Sequence, residues 1–98
     1  MKYSAYETVI VETFREYGAQ TNTTIRVRPL PGQGYSADIR VECSREMRNS
    51  HPIGTIFEVR AKLTDREGGP DFLYSNFNWP YKVVTQEEAR KIIGHETS

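Results

Sequence analysis

Ser4-Ala5-Tyr6-Glu7-Thr8-Val9-Ile10-Val11-Glu12-Thr13-Phe14-Arg15-Glu16-Tyr17-Gly18 is the stretch whose reading decides the fold. Ser4 to Glu7 has the form of a capping box, a hydroxyl three residues ahead of a carboxylate. Tyr6, Val9, Ile10, Phe14 and Tyr17 fall on one helical face, and Gly18 follows the last of them. As a strand the stretch alternates poorly, because Val9, Ile10 and Val11 are consecutive. Against a helix stands the β-branched run Thr8 to Val11 with Thr13, whose side chains lose rotamer freedom in a helix and suit a pleated surface. Period and caps lean to a helix; propensity favours a strand.

Downstream the pattern is plainer. Ile25-Arg26-Val27-Arg28, Ala37-Asp38-Ile39-Arg40-Val41-Glu42-Cys43 and Phe57-Glu58-Val59-Arg60-Ala61-Lys62-Leu63 all alternate with period two, the pattern of an antiparallel sheet with one packed and one wet face. Residues 29–34 (PLPGQG) form a turn region, and 65–70 (DREGGP) a hairpin loop. Ser44 caps a short helical turn through Arg48, which His51-Pro52 stops. Phe72 to Val84 reads as a further strand, at an edge or bent by a bulge at Pro80, since proline donates nothing to a ladder. Thr85-Gln86-Glu87-Glu88 is a second capping box. It starts a helix over 86–93 with Ala89, Ile92 and Ile93 on one face and Gly94 placed to end it, leaving 95–98 as a frayed tail.

The fold class that follows is α+β: a small antiparallel sheet or partly open barrel of four to five strands with a C-terminal helix. Its N-terminal segment is helix or strand. A helix first gives the order αββ(α)ββα. A strand first gives βββ(α)ββ and a final helix, and a short helix between strands three and four of a five-stranded barrel is the OB-fold order.

The 98 residues make one domain, 1–98. At 37% apolar but 11% aromatic, a few rings supply much of the core. The 13 basic and 13 acidic side chains cancel, which argues against a dedicated polyelectrolyte binder without excluding a local basic patch. One cysteine, Cys43, forms no internal disulfide and favours a reducing compartment. Met1-Lys2-Tyr3-Ser4 opens no apolar signal region and no membrane span is in sight, so a cytoplasmic protein is expected.

Residues 24–93, with Ile25-Arg26-Val27-Arg28-Pro29, Val41-Glu42-Cys43-Ser44, Pro52-Ile53-Gly54-Thr55-Ile56-Phe57, Gly68-Gly69 and Trp79-Pro80-Tyr81, resemble short uncharacterised bacterial proteins carried on mobile gene cassettes of the integron type. The resemblance covers about two thirds of the chain, rests on structural motifs, and implies a bacterial source with no activity to carry over.

Two constellations are candidates for binding. If Ile25, Val27, Ile39, Val41, Phe57 and Val59 point inward, then Arg26, Arg28, Arg40, Arg60 and Lys62 share the outer face, as a single-strand nucleic-acid binder requires. The bland reading is a salt ladder with Asp38, Glu42 and Glu58 on the same face. In the second constellation, Phe77, Trp79 and Tyr81 share one face of an extended strand and Phe72 and Tyr74 the other. Those five are the protein-contact candidates, unless helices cover both faces.

Cys43 reads as a small buried hydrophobe; a nucleophile would need a base such as His51. Two separated histidines and one cysteine give no zinc spacing, and Gly32-Gln33-Gly34 is no phosphate cradle, so neither metal nor cofactor is expected and no catalytic set is visible. The leading expectation is a non-catalytic binding module contacting a protein partner, or a second copy of itself, through the aromatic strand or a sheet edge. The alternative is a small nucleic-acid-binding barrel using the basic face.

Overall fold

The contested stretch is a strand, and the reason lies in what covers it. In this computed structural model, residues 6–17, 23–65, 67–76 and 78–97 are described, with backbone alone at 17, 23, 24 and 95–97. Ser4 of the first expected capping box, Gly18, Arg66, Phe77 and Ser98 lie outside the described residues. The elements in chain order are β1 (Glu7–Tyr17), β2 (Thr23–Pro29), β3 (Arg40–Glu42), α1 (Arg45–Asn49), β4 (Ile56–Thr64), β5 (Phe72–Tyr74), β6 (Lys82–Val84) and α2 (Gln86–Thr97). The fold is α+β, a nearly closed barrel-like sheet with a C-terminal helix.

β1 pairs antiparallel with β2 on one side, from Tyr17↔Thr23 to Val11↔Pro29, and with β4 on the other, from Glu7↔Ala61 to Glu12↔Ile56. Val9 and Val11 join an interior cluster with Val27, Met47, Phe57, Val59, Ala61 and Leu73. Ile10, between them, joins a second cluster with Val84 and Ala89, ringed by Leu30, Ile56, Ile92 and Ile93. All three are fully buried. The consecutive apolar run that spoils the alternation is therefore period two with both faces covered. Burying each such side chain is worth about 1.5–3 kcal/mol, which overrides the helical period.

The strand expected over 72–84 is broken in two. β5 pairs with the C-terminal end of β4 (Thr64↔Phe72 to Lys62↔Tyr74) and β6 with its N-terminal end (Glu58↔Lys82 to Ile56↔Val84). Between them the Asn76 carbonyl accepts from the Trp79 N–H (3.0 Å) and its side-chain oxygen from the Asn78 N–H (2.8 Å). The break at Pro80 is thus a loop and not a one-residue bulge, and six strand segments fill five positions of the barrel.

β3 runs parallel to β5, so the sheet is mixed and not purely antiparallel. It is shorter than the alternation over 37–43 suggests, because its partner is only three residues long. Upstream of it, the Ile39 N–H closes a turn on the Ser36 carbonyl (3.1 Å). The hydrogen-bonded path runs β2-β1-β4-β5-β3, with β6 beside β4. Its two ends, β2 and β3, lie next to each other, with no backbone ladder joining them among the described residues. This seam is where the barrel stays open.

Both short-range caps form. Ser44 accepts from the Met47 N–H (3.3 Å), and fully buried Met47 anchors α1 in the interior cluster. Thr85 Oγ1 accepts from the Glu88 N–H (3.1 Å) while the Glu88 carboxylate accepts from the Thr85 N–H (2.9 Å). α2 does not stop at Gly94 but continues to Thr97, with no proline beyond the glycine to break it. No helix among the described residues is long and apolar enough to cross a membrane.

One contact has no signature in the alternation. β2 leaves β1 at Pro29, and the Gln33 side chain takes its place. Its Oε1 accepts from the Ile10 N–H (2.8 Å), and its Nε2 donates to the carbonyls of Ile10 (2.8 Å) and Leu30 (2.9 Å). Gly32, at φ +97°, brings this loop against α2; a Cβ there would stand 3.1 Å from Ile93 Cγ2. The Ile10 carbonyl keeps the Leu30 N–H (3.0 Å), but Gln33→Ala leaves the buried Ile10 N–H unpaired and is expected to destabilise the protein by roughly 1–3 kcal/mol in urea unfolding.

Hydrogen bonds from the Thr85 backbone and side chain hold the Glu88 carboxyl below its ordinary value. A carboxyl whose folded pKa is depressed contributes stability that is complete above its unfolded pKa and is lost as pH falls through the folded one. Thermal melts should therefore show Glu88→Gln lowering Tm at neutral pH, with the gap to the parent closing in acid.

Candidate functional site

The seam between β2 and β3 gathers three of the five expected cations. Arg26 and Arg28 stand two residues apart on one face of β2, and Arg40 opens β3. A concavity of about 210 Å³ lies over the seam, lined by Phe14, Glu16, Arg26, Arg28, Asp38 and Arg40 among others. A second, of about 260 Å³, adjoins it and shares Arg26 and Arg40; Val41, Glu42, Cys43 and Arg48 complete its wall. Together they follow the seam from Arg28 and Asp38 at one end to Cys43 and Arg48 at the other.

Arg60 and Lys62 are not part of this surface. Both lie on β4, which β1 separates from β2, and neither lines either concavity. Lys62 Nζ sits 5.2 Å over the Tyr6 ring instead. The even basic face expected from alternation is divided because the sheet curls.

The salt ladder exists, but its acids come mostly from β1. Arg28 Nε donates to Glu12 Oε1 at 2.9 Å, its directly opposed residue, with the guanidinium 4.6 Å over the Phe14 ring. Arg26 reaches Glu16 at 3.7 Å, and Arg40 reaches Glu42 of its own strand at 3.8 Å. Asp38 lies at the seam, while Glu58 faces Ile10 and Lys82 across its strands. Exposed pairs of this kind are worth about 0.2–1 kcal/mol, so an anionic ligand displaces them at small cost.

Arg48 is the residue that strand alternation misses, because it sits on α1. Its Nη1 donates to the Ile25 carbonyl at 3.5 Å, tying α1 to the edge of β2. Its Nε is shielded from solvent with no hydrogen-bond partner, and it has no carboxylate partner among the described residues. A buried donor left in this way costs on the order of 1–3 kcal/mol.

Cys43 packs against the interior cluster, as expected for a small hydrophobe. Burial pushes its thiol up to about 11, with the Arg48 guanidinium pulling part of the way back. His51 does not line its pocket. The imidazole Nε2 instead lies 3.2 Å from the Tyr81 hydroxyl, and the ring packs edge-on against Phe57.

The aromatic candidates are largely engaged within the chain. Phe72 is buried, and Tyr74, Trp79 and Tyr81 are half-buried. Trp79 meets Tyr6 edge-to-face with centroids 4.0 Å apart, and Tyr81 meets Phe57 in the same manner at 5.4 Å. Phe77 lies outside the described residues. Phe72 and Tyr74 lie on β5, while Trp79 and Tyr81 lie outside β5 and β6 and so do not share one extended strand with them. Among the described residues, the only large hydrophobics exposed are Ile53, in the turn before β4, and Val83, on β6.

Comparison with protein-family models, with curated proteins and with solved structures finds no match.

A thiol at about 11 is a poor nucleophile at neutral pH. Alkylation of folded Cys43 at pH 8 should run roughly tenfold or more slower than in denaturant, even after allowing for the greater intrinsic reactivity of a more basic thiolate.

Proposed function

We propose that this protein binds single-stranded nucleic acid along the β2–β3 seam, with Arg26, Arg28 and Arg40 tracking phosphates. The observation that carries the reading is the pair of adjoining concavities that share Arg26 and Arg40 along the β2–β3 edge, where no ladder joins the strands among the described residues. The element order supports it. With β5 and β6 counted as one position, three strands, a short helix, two strands and a barrel closing through β1–β4 and β3–β5 is the OB-fold order. Such barrels bind oligonucleotides and oligosaccharides on the face of strands two and three. Phe14 supplies a ring at the same surface, on which a base can stack.

The protein-contact reading draws on Tyr74, Trp79 and Tyr81, but the rings of Trp79 and Tyr81 pack within the chain, and among the described residues no large apolar patch accompanies the three. The neutral net charge is compatible with nucleic-acid binding because Arg26, Arg28, Arg40 and Arg48 gather along the seam.

Fluorescence anisotropy with a labelled single strand of about 10 nucleotides, inside the ~4–16 span of one OB-type site, tests the proposal. Binding should fall with salt by about 0.7 log units per log unit of salt for each phosphate contacted. Arg26→Gln with Arg40→Gln should weaken binding about tenfold or more and flatten that slope, while Arg60→Gln leaves both unchanged. No binding at low salt, or equal loss with Arg60→Gln, would overturn it.

A further inference from the structure

We propose that the pocket between α1 and the end of the seam is a socket for the terminal phosphate of the bound strand, an inference that rests on the nucleic-acid reading above. Along the seam, Arg28 and Asp38 mark one end and Arg26 and Arg40 the middle. At the other end the groove meets α1. β3 runs directly into α1 through Cys43 and the capping Ser44, and Arg48 on α1 bonds back to the Ile25 carbonyl on β2. α1 therefore spans the seam from one edge to the other. A strand lying in the groove meets α1 there, so its end group falls against the pocket.

The chemistry of the pocket suits that end. Its wall presents the guanidiniums of Arg26, Arg40 and Arg48 against one carboxylate, Glu42. Cys43 adds no charge, since its thiol is neutral at physiological pH. With Glu16 on Arg26 counted as well, the guanidiniums still outnumber the carboxylates, and a terminal phosphate monoester, about −1.5 to −2 at pH 7, gains more from that excess than an internal diester carrying a single charge. Arg48 is the cation with most to gain. Arg26 and Arg40 already have carboxylates at 3.7 and 3.8 Å, whereas Arg48 has none among the described residues. A planar guanidinium offers a paired set of donors to a phosphate, and charge-assisted bonds of this type are the stronger class. The volume, about 260 Å³, admits a phosphate with several waters, each occupying ~30 Å³.

The test compares three kinds of labelled single strand built on one sequence: hydroxyl-ended, phosphate-ended at the unlabelled terminus (5′ and 3′ separately), and hydroxyl-ended but one nucleotide longer. The longer strand supplies an extra phosphate without a monoester. The phosphate-ended strand should bind the wild-type protein about tenfold tighter than both hydroxyl-ended strands. In Arg48→Gln that advantage should vanish, so that the phosphate-ended strand binds no tighter than the hydroxyl-ended strands. Equal binding of all three strands would overturn the socket and leave the groove reading standing. So would a longer hydroxyl-ended strand that matches the phosphorylated one, or an advantage that persists in folded Arg48→Gln. Absence of binding by every strand would overturn both readings. If Arg48→Gln does not fold, Arg48→Lys takes its place. It keeps the cation but loses the planar fork, and a reduced advantage supports the socket while an undiminished one rejects it.

Discussion

Burying Val9, Ile10 and Val11 at three successive positions requires cover on both faces of β1, and the two covers have different origins. The barrel interior supplies one, through Val27 from β2, Phe57 and Val59 from β4, Leu73 from β5 and Met47 from α1. α2 and the strand ends beside it supply the other, through Ala89, Ile92, Val84 and Ile56. Each cover presupposes the other. Without α2, Ile10 would face water; without the curled sheet, Val9 and Val11 would. β1 also carries the two longest ladders in the molecule, so the edges of β2 and β4 are set from it. Where β2 departs, the Gln33 amide replaces a strand's hydrogen bonds, and Gly32 lets that loop approach Ile93 on α2.

The open seam follows from the same arrangement. β2 is held by β1, and β3 by the short parallel pairing to β5, reinforced by the Ser75 N–H on the Glu42 carbonyl at 2.8 Å. Between Pro29 and Arg40 lies a loop with two positive-φ glycines, Gly32 and Gly34, and not a hairpin turn, so β2 and β3 are neighbours without a shared ladder. Groups at such an edge have two fates: to be covered, or to face a groove. Here Arg48 ties down one end and arginines line the rest, which gives the seam its cationic character in a chain of zero net charge.

The ion pairs on this surface show how one strand assignment changes the electrostatics of another. With residues 7–17 as a helix, Glu12 and Glu16 would have no fixed relation to Arg28 and Arg26. As β1 they lie beside them by register, Glu12 directly opposite Arg28 and Glu16 two residues beyond Phe14, the residue opposite Arg26. The cations are thereby oriented along the seam while remaining weakly held, a state suited to exchange of one carboxylate for a phosphate.

What the sequence determined by itself were the features whose partners lie within a few residues. Thr85 and Glu88 form a reciprocal cap inside four residues, Ser44 caps the turn leading to Met47, and the alternation of 25–28 and 57–63 marks β2 and β4 because each has one distinct face. The α+β class, the C-terminal helix and the choice between sheet and partly open barrel were legible on the same ground. Only the tertiary structure decided that 7–17 is a strand, because the cover for its second face comes from α2 at the far end of the chain. It alone broke 72–84 into two strands, ended β3 at three residues and carried α2 past Gly94. It also divided the five basic residues, bringing Arg26, Arg28 and Arg40 together with an unforeseen Arg48 and leaving Arg60 and Lys62 elsewhere. Alternation assigns a side chain to a face of its own strand, whereas a groove is formed by how strands distant in sequence curl toward one another.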